Sequence, residues 1–373
     1  MILKRLTCLL VIVVALPYFR APVYRFPSPQ PFNGPAWLNP YARLAGTWQR
    51  ANLHAHGRAW SGITNGRQSD AEVAAAYRRL GYTVTGISDY HLISSDRTAS
   101  TLPVYEHGYN VGKRHQLAIG ARSVDWFDVP FWQWRSQKQY VLDRLDTTSA
   151  LVAINHPTGR GAYTPGDMAA LTNYELLEVV NGPFTAEGLW DAALSSGRAV
   201  WVLADDDTHD VTDPGRLGVA WDMIDAATGD AADVIAALGA GRSYAVLSRS
   251  STTAGNDAVV SGVEVRGGRL VVTCEGAPAD FTFVGQNGVV RKTVDHATSA
   301  SYDLEPSDTY VRTTVRTPAT VMFLNPIVRY NGVRLAAPEA AIDETATWLL
   351  RALLALACAA AFTLLWRRPR WTP

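Results

Sequence analysis

The stretch Ala51-Asn52-Leu53-His54-Ala55-His56-Gly57 decides how the rest of the chain is read. Successive side chains of an extended segment point to opposite sides, so His54 and His56 send both imidazoles to one face. Two such rings can share one cation, although a single His-x-His also occurs as an incidental pair. Its weight comes from repetition. Downstream, apolar runs with strand character end in His, Asp or both. Residues 83–87 run into Ser88-Asp89-Tyr90-His91, 150–154 into Asn155-His156-Pro157, and 199–203 into the segment Asp205 to His209. Tyr105-Glu106-His107 and His115-Gln116 lie between them.

Helical signals separate these runs. Ser69-Asp70-Ala71-Glu72 is a capping box that opens a helix over 70–80, closed by Gly81. Further helices are expected near 137–145, 189–196 and 231–238. Strands alternating with helices imply βαβ units and a parallel sheet, open or closed into a barrel. In barrel enzymes the chemistry sits after the strand ends, where the polar clusters fall here. Singly, each histidine reads equally well as a core or surface residue, and Asp205–Asp207 as a cap or solvated turn. Their joint placement at strand ends argues for one metal site. From about residue 250 short alternating strands take over, at 262–266, 270–273, 281–284, 310–316 and 321–324. They predict a small antiparallel β unit over 251–340 after a main domain at 48–250. Arg312, Arg316 and Arg329 in that unit read as surface arginines.

Composition narrows the chemistry. The chain has 373 residues, 47% of them hydrophobic, and a formal net charge of +0, so it can bury one large core and a smaller one, and no nucleic-acid-binding surface is evident. Its cysteines, Cys8, Cys274 and Cys358, cannot form a disulfide framework or a thiolate zinc site, so a metal must take His and carboxylate ligands. At the amino end Lys4 and Arg5 precede an apolar run, so 1–20 reads as a signal peptide or a signal-anchor helix. The absence of a small-x-small cleavage pattern favours retention. Residues 21–47, rich in Pro and aromatics, read as a linker lying on the domain. Residues 346–366 read as a transmembrane helix with Trp348 and Trp366 at the interfaces and Arg351 near one end, followed by a basic tail at 367–373 containing Arg367, Arg368 and Arg370. Positive-inside logic puts both termini in the cytoplasm and the body outside, in the periplasm or on the outer face.

Taken in order, the motifs resemble those of the PHP (polymerase and histidinol phosphatase) superfamily of metal-dependent phosphoesterases. Leu53-His54-Ala55-His56 matches the first motif, Ile87-Ser88-Asp89-Tyr90-His91 resembles the second, and Asn155-His156-Pro157 and Asp207-Thr208-His209 match later ones. Glu106 stands where the family has a bridging carboxylate, and His115 fits the next histidine. The resemblance covers roughly residues 48–250. It implies a distorted (β/α)7-type barrel holding two or three divalent ions (Zn, Mn or Fe). Their ligands would be His54, His56, His91, Glu106, His115, His156, Asp207 and His209, with Asp207 and His209 also at the reacting centre. Two departures stand out. Tyr90 is inserted before His91, so a regular strand would point Tyr90 at the site and a bulged one His91; the ligand set above takes the bulge. The acidic residue usual after the first motif is absent, and Asn65-Gly66 stands in its place.

Phosphate binding needs cations besides the metals, and Arg58 and Arg160, which follow two of the motifs, are the candidates. Asp89, Asp205 and Glu178 are candidates to orient ligand histidines. The expected activity is hydrolysis of a phosphomonoester or phosphodiester by a membrane-anchored enzyme, on a small phosphorylated substrate or a lipid or glycan phosphate. A related metallohydrolase acting on amides or other esters, and a non-catalytic ligand-binding ectodomain, are the alternatives.

Overall fold

The computed structural model describes residues 2–249 and 257–366, so the basic tail with Arg367, Arg368 and Arg370 lies outside the described residues. Seven helices occur in them: α1 (Ile2–Arg20), α2 (Asp70–Arg79), α3 (Arg135–Asp146), α4 (Pro165–Ala170), α5 (Glu187–Ser195), α6 (Ala231–Gly239) and α7 (Glu344–Trp366). The capping box forms as expected: the Glu72 amide donates to Ser69 Oγ at 3.4 Å and the Ser69 amide donates to Glu72 Oε2 at 2.8 Å. Val73, Ala74, Ala76 and Tyr77 give α2 its buried face.

The strands divide between two main sheets. One runs in the order Trp201–Asp205, Leu176–Asn181, Leu151–Ile154, Gln116–Ile119, Val104–His107. Every residue of these five strands is buried, as expected for strands covered on both faces. The first three are mutually parallel, but Gln116–Ile119 is antiparallel to both its neighbours. The expectation of an all-parallel sheet therefore fails at this edge. The connection 108–115 is too short for a crossover helix, so the chain doubles straight back.

The second sheet is nine-stranded. Trp48–Asn52 pairs in parallel with Val84–Thr85 and antiparallel with Ala220–Asp225. Ser243–Ser248 then carries the sheet on to Thr320–Tyr330, Tyr310–Arg316, Ala279–Gly285 and Val289–Ala297. The expected boundary near 250 is thus spanned by one hydrogen-bonded sheet, because Ser243–Ser248 offers its free edge to the strands that follow. Ala258–Arg266, Arg269–Gly276 and Ser299–Asp303 form a separate three-stranded sheet. Arg312 is not the surface arginine expected: it is buried, and bonded to Asp191 of α5.

Among the described residues regular pairing closes no barrel, so the (β/α)7 expectation holds only as far as a mixed α/β fold. The two sheets face one another across a core that takes Ala51, Leu53 and Val84 from one and Leu117, Ala153, Leu176 and Leu203 from the other. At one end they are joined by two isolated bridges, Ala55 with Thr208 and Tyr90 with Glu106. Three of these residues lie just past strand ends and Glu106 within its strand, and the bridges draw the motif segments together.

α1 and α7 lie side by side away from the sheets. Arg351 Nε donates to Phe19 O at 3.0 Å, and the Val23 amide donates to Thr347 Oγ1 at 2.9 Å. Tyr24 ties the pair to α3, its hydroxyl donating to Asp143 Oδ2 at 2.5 Å. Among the described residues α7 alone is long and apolar enough to cross a membrane, over Glu344–Leu364; the apolar part of α1, Leu6–Arg20, is shorter.

Candidate metal centre

The bridge between the sheets sets the site. The Asp207 amide donates to His54 O at 3.0 Å and the His56 amide to Thr208 O at 2.9 Å, so the segments carrying these residues run alongside each other. Asp205 locks the crossing, accepting from the backbone amides of Leu53 and His54. Gly66 packs so closely that a Cβ there would stand 1.9 Å from Gly57 O, which presses the 62–67 turn against the His-x-His segment.

Glu106 is the centre. Its Oε1 lies 2.9 Å from His115 Nδ1, 3.1 Å from His156 Nε2 and 3.3 Å from His54 Nε2, and its Oε2 lies 3.2 Å from His56 Nε2. Asp207 Oδ1 faces His54 Nε2 and His56 Nε2 at 3.3 Å each, and His209 Nδ1 at 3.7 Å. These seven residues form four overlapping triads, each with its ligand atoms within 4.8 Å of one another. His54, His56, Glu106 and His115 are buried, whereas His156, Asp207 and His209 are partly open, so the cluster has a closed floor and an accessible side.

Its electrostatics are unusual. His54 Nε2, both His56 ring nitrogens, Glu106 Oε2 and Asp207 Oδ1 are buried without a hydrogen-bond partner among the described residues. Burial opposes charge on His56, yet the Asp207 and Glu106 carboxylates outweigh it and hold the ring up to about 9. His54 is raised well above the usual imidazole value, against its burial, by Asp207, Glu106 and Glu178. His209, by contrast, is held down to about 4 by burial and by its neighbour His56, and so keeps an uncharged ring at neutral pH.

A second layer positions the first. Glu178 is fully buried and meets His54 Nδ1 at 2.8 Å through Oε1, while its Oε2 accepts from the His156 amide. That bond fixes which His54 nitrogen faces Glu106. Asp89 accepts from the Gly57 amide at 2.8 Å, and Asp205 holds backbone as above, so neither orients a histidine ring through a bond of its own.

His91 needs correcting as a ligand. Its Nδ1 faces Asp125 O at 3.1 Å, its Nε2 accepts from the Gly108 amide at 3.0 Å, and its ring stacks on Trp126. Tyr90 takes the direction towards the cluster instead, stacked on His56 with centroids 4.7 Å apart. The reason is local: Tyr90 pairs with Glu106 as a regular bridge, so alternation continues through it, and His91 turns away at φ 49°. Asn65 is exposed and supplies no ligand to the cluster.

The open side of the cluster leads into a cleft of about 350 Å³. Lys113 and Arg216 line it together with His156, Asp207, Asn181 and Phe184. Arg58 and Arg160, the expected phosphate contacts, do not. Both are exposed; Arg160 donates to Val111 O at 3.1 Å, and Arg58 lies against Gly62. Lys113 and Arg216 carry no sequence signal that sets them apart: Lys113 is one of two bases in the turn before His115, and Arg216 is a single base in a loop.

No family model matches the chain, and no curated protein does. Among solved structures it is similar to a two-domain protein from Bacteroides vulgatus containing a predicted PHP-like metal-dependent phosphoesterase, at 12% sequence identity and a TM-score of 0.44, over 81% of this chain and 91% of that one.

Proposed function

We propose that the chain is a metal-dependent phosphoesterase of the PHP type that hydrolyses a phosphomonoester or phosphodiester, held at a membrane by α7 with its body in the periplasm or outside the cell. The observation that carries the reading is the convergence of buried, unpaired imidazole and carboxylate atoms on Glu106. Such atoms are costly to bury unless something binds them. Imidazole nitrogen with carboxylate oxygen suits Zn, Mn or Fe, and His54, His56, Glu106, His115, His156, Asp207 and His209, in four overlapping triads, would hold more than one such ion. A third ion would lack one ligand, since Tyr90 stands where the motif it resembles has histidine.

The residues divide the work. Divalent ions bound here would supply Lewis acidity and bring the pKa of a water towards neutrality. Glu106 holds the two halves of the cluster together, and Glu178 sets the tautomer of His54. Asp207 and His209 stand on the open side, where a substrate has access. Lys113 and Arg216 bring positive charge to the cleft and attract an anionic ester, which favours a phosphate over a neutral amide. That open side also favours catalysis over a structural metal, which is usually enclosed by its ligands.

The test is metal analysis of the purified protein together with turnover of a soluble aryl phosphate, before and after chelation, in the parent and in His54→Ala. Metal-dependent turnover that disappears in the variant is expected. Turnover indifferent to chelation would exclude the mechanism.

A further inference from the structure

The body exposes a concentrated aromatic face. Trp126 is 57% exposed, Trp132 74% and Trp134 66%, with Phe131 also open to solvent, and with Tyr109 and Val111 of the loop hydrogen-bonded to this segment. A run of large apolar side chains on a surface marks a contact with something else. Two sets of contacts on either flank indicate what that is.

On one flank the face is continuous with the apolar helices. Tyr18 of α1 packs edge-on against Trp134 with centroids 6.1 Å apart. Leu16, Pro17 and Arg20 of α1 share a cleft with Trp126 and Phe127, and the Arg20 guanidinium stands 5.9 Å from the centre of the Phe127 ring. Arg20 is the last residue of α1, at the end that α7 joins through Arg351. The tryptophans therefore sit at the level where α1 and α7 meet the body, the level at which Trp and Tyr favour a membrane–water boundary.

On the other flank the face reaches the metal cluster. Trp126 stacks on His91 at 5.0 Å and meets Trp60 edge-on at 5.8 Å. Trp60 Nε1 donates to Tyr90 O at 2.8 Å, and Tyr90 stacks on His56 of the cluster. Val111 lies in the same loop as Lys113, which lines the cleft. From helix end to metal ligand, no step in this series is longer than one side-chain contact.

We propose that this aromatic face lies in the headgroup region of the bilayer that α7 enters, and that the cleft takes its phosphoester from that bilayer: the substrate is a phosphate ester on an apolar tail. The inference rests on the hydrolase reading above and adds the substrate class. Lys113 and Arg216 meet the phosphate, while the tail stays in the lipid beside Trp132 and Trp134.

The experiment uses the full chain, metal-loaded, in phosphatidylcholine vesicles. Two esters are compared: a soluble aryl phosphate and a long-chain dialkyl phosphate ester embedded in the same vesicles. Trp132→Gln is the test variant, since Trp132 is the most exposed of the three and its ring meets that of its neighbour Phe131. The expected result is a loss of roughly tenfold or more on the embedded ester, with the soluble ester unchanged within about twofold. Equal rates of parent and variant on the embedded ester, or an equal fall on both esters, overturn the inference. Quenching of tryptophan fluorescence by brominated lipid is read separately; it should drop in Trp132→Phe, and an unchanged signal overturns the bilayer contact by itself. A parent that hydrolyses neither ester speaks against the hydrolase reading, a result the quenching arm keeps apart from the surface.

Discussion

Two buried charge clusters in this chain are built on opposite terms. Around Arg312, where α5 meets the Tyr310–Arg316 strand, every charged group is answered. Arg312 Nε and Nη2 donate to Asp191 at 2.8 Å each, and Nη1 donates to Glu187 at 3.0 Å and Thr314 at 3.1 Å. The Tyr310 hydroxyl adds a bond to Asp191 at 3.0 Å. Around Glu106 the reverse holds: four imidazoles crowd one carboxylate, and several of their atoms have no hydrogen-bond partner among the described residues. The first arrangement leaves little to bind and fastens the α5 layer to the second sheet. The second offers a set of donors that could hold a cation. Burial and charge alone do not separate a structural cluster from a functional one; hydrogen-bond saturation does.

The largest expected effect is at Glu106. Glu106→Gln should lower turnover by on the order of 10³-fold or more and reduce bound metal, read by metal analysis beside initial rates. Full activity in that variant would leave the cluster without its centre. Arg312→Met comes next and separates the two regions. Breaking a buried, bonded ion pair costs roughly 3–5 kcal/mol, so the denaturant midpoint should fall clearly, while the folded fraction keeps its metal. Loss of metal at unchanged stability would show the regions to be one unit.

Glu178→Gln is expected to weaken metal binding by about 10–100-fold through loss of the bond that orients His54, measured by competition with a chelator. An unchanged affinity would reduce Glu178 to packing. In the metal-free protein the raised His56 value carries a pH signature. A folded-state value of about 9, above the ordinary imidazole value of 6.5, contributes stability that is fully present below about 6.5 and is lost as pH rises through about 9. Metal-free protein should therefore unfold at lower denaturant at pH 9.5 than at pH 6.5, and added metal should reverse the trend; a midpoint that climbs with pH contradicts it. The smallest effect is at His91. His91→Phe should leave metal content as it is and alter turnover by no more than a few fold, since both ring nitrogens serve the loop rather than the cluster. A variant stripped of metal would restore His91 as a ligand.

What could be read along the chain was what depends on neighbours in sequence. The alternation that sends His54 and His56 the same way, the capping box at Ser69 and the motif residues at strand ends are all short-range patterns. The same alternation, followed strictly through Ser88-Asp89-Tyr90, selects Tyr90, because the segment pairs with Glu106 without a bulge. Lys113 and Arg216 carry no such signal. They enter one cleft because the 108–115 turn and the loop before Ala220–Asp225 fold towards the same opening.

The sequence by itself thus determined a mixed α/β body, a His- and carboxylate-based centre and a long apolar helix near the carboxyl end, because composition and local periodicity are properties of single segments. Tertiary structure decided that the strands form two sheets joined at one end instead of a regular barrel, that Ser243–Ser248 welds the later strands onto the first part, and that an aromatic loop links the α1–α7 pair to the cluster. Those outcomes depend on which free edge and which exposed ring find a partner far away in the chain, and no local pattern encodes that choice.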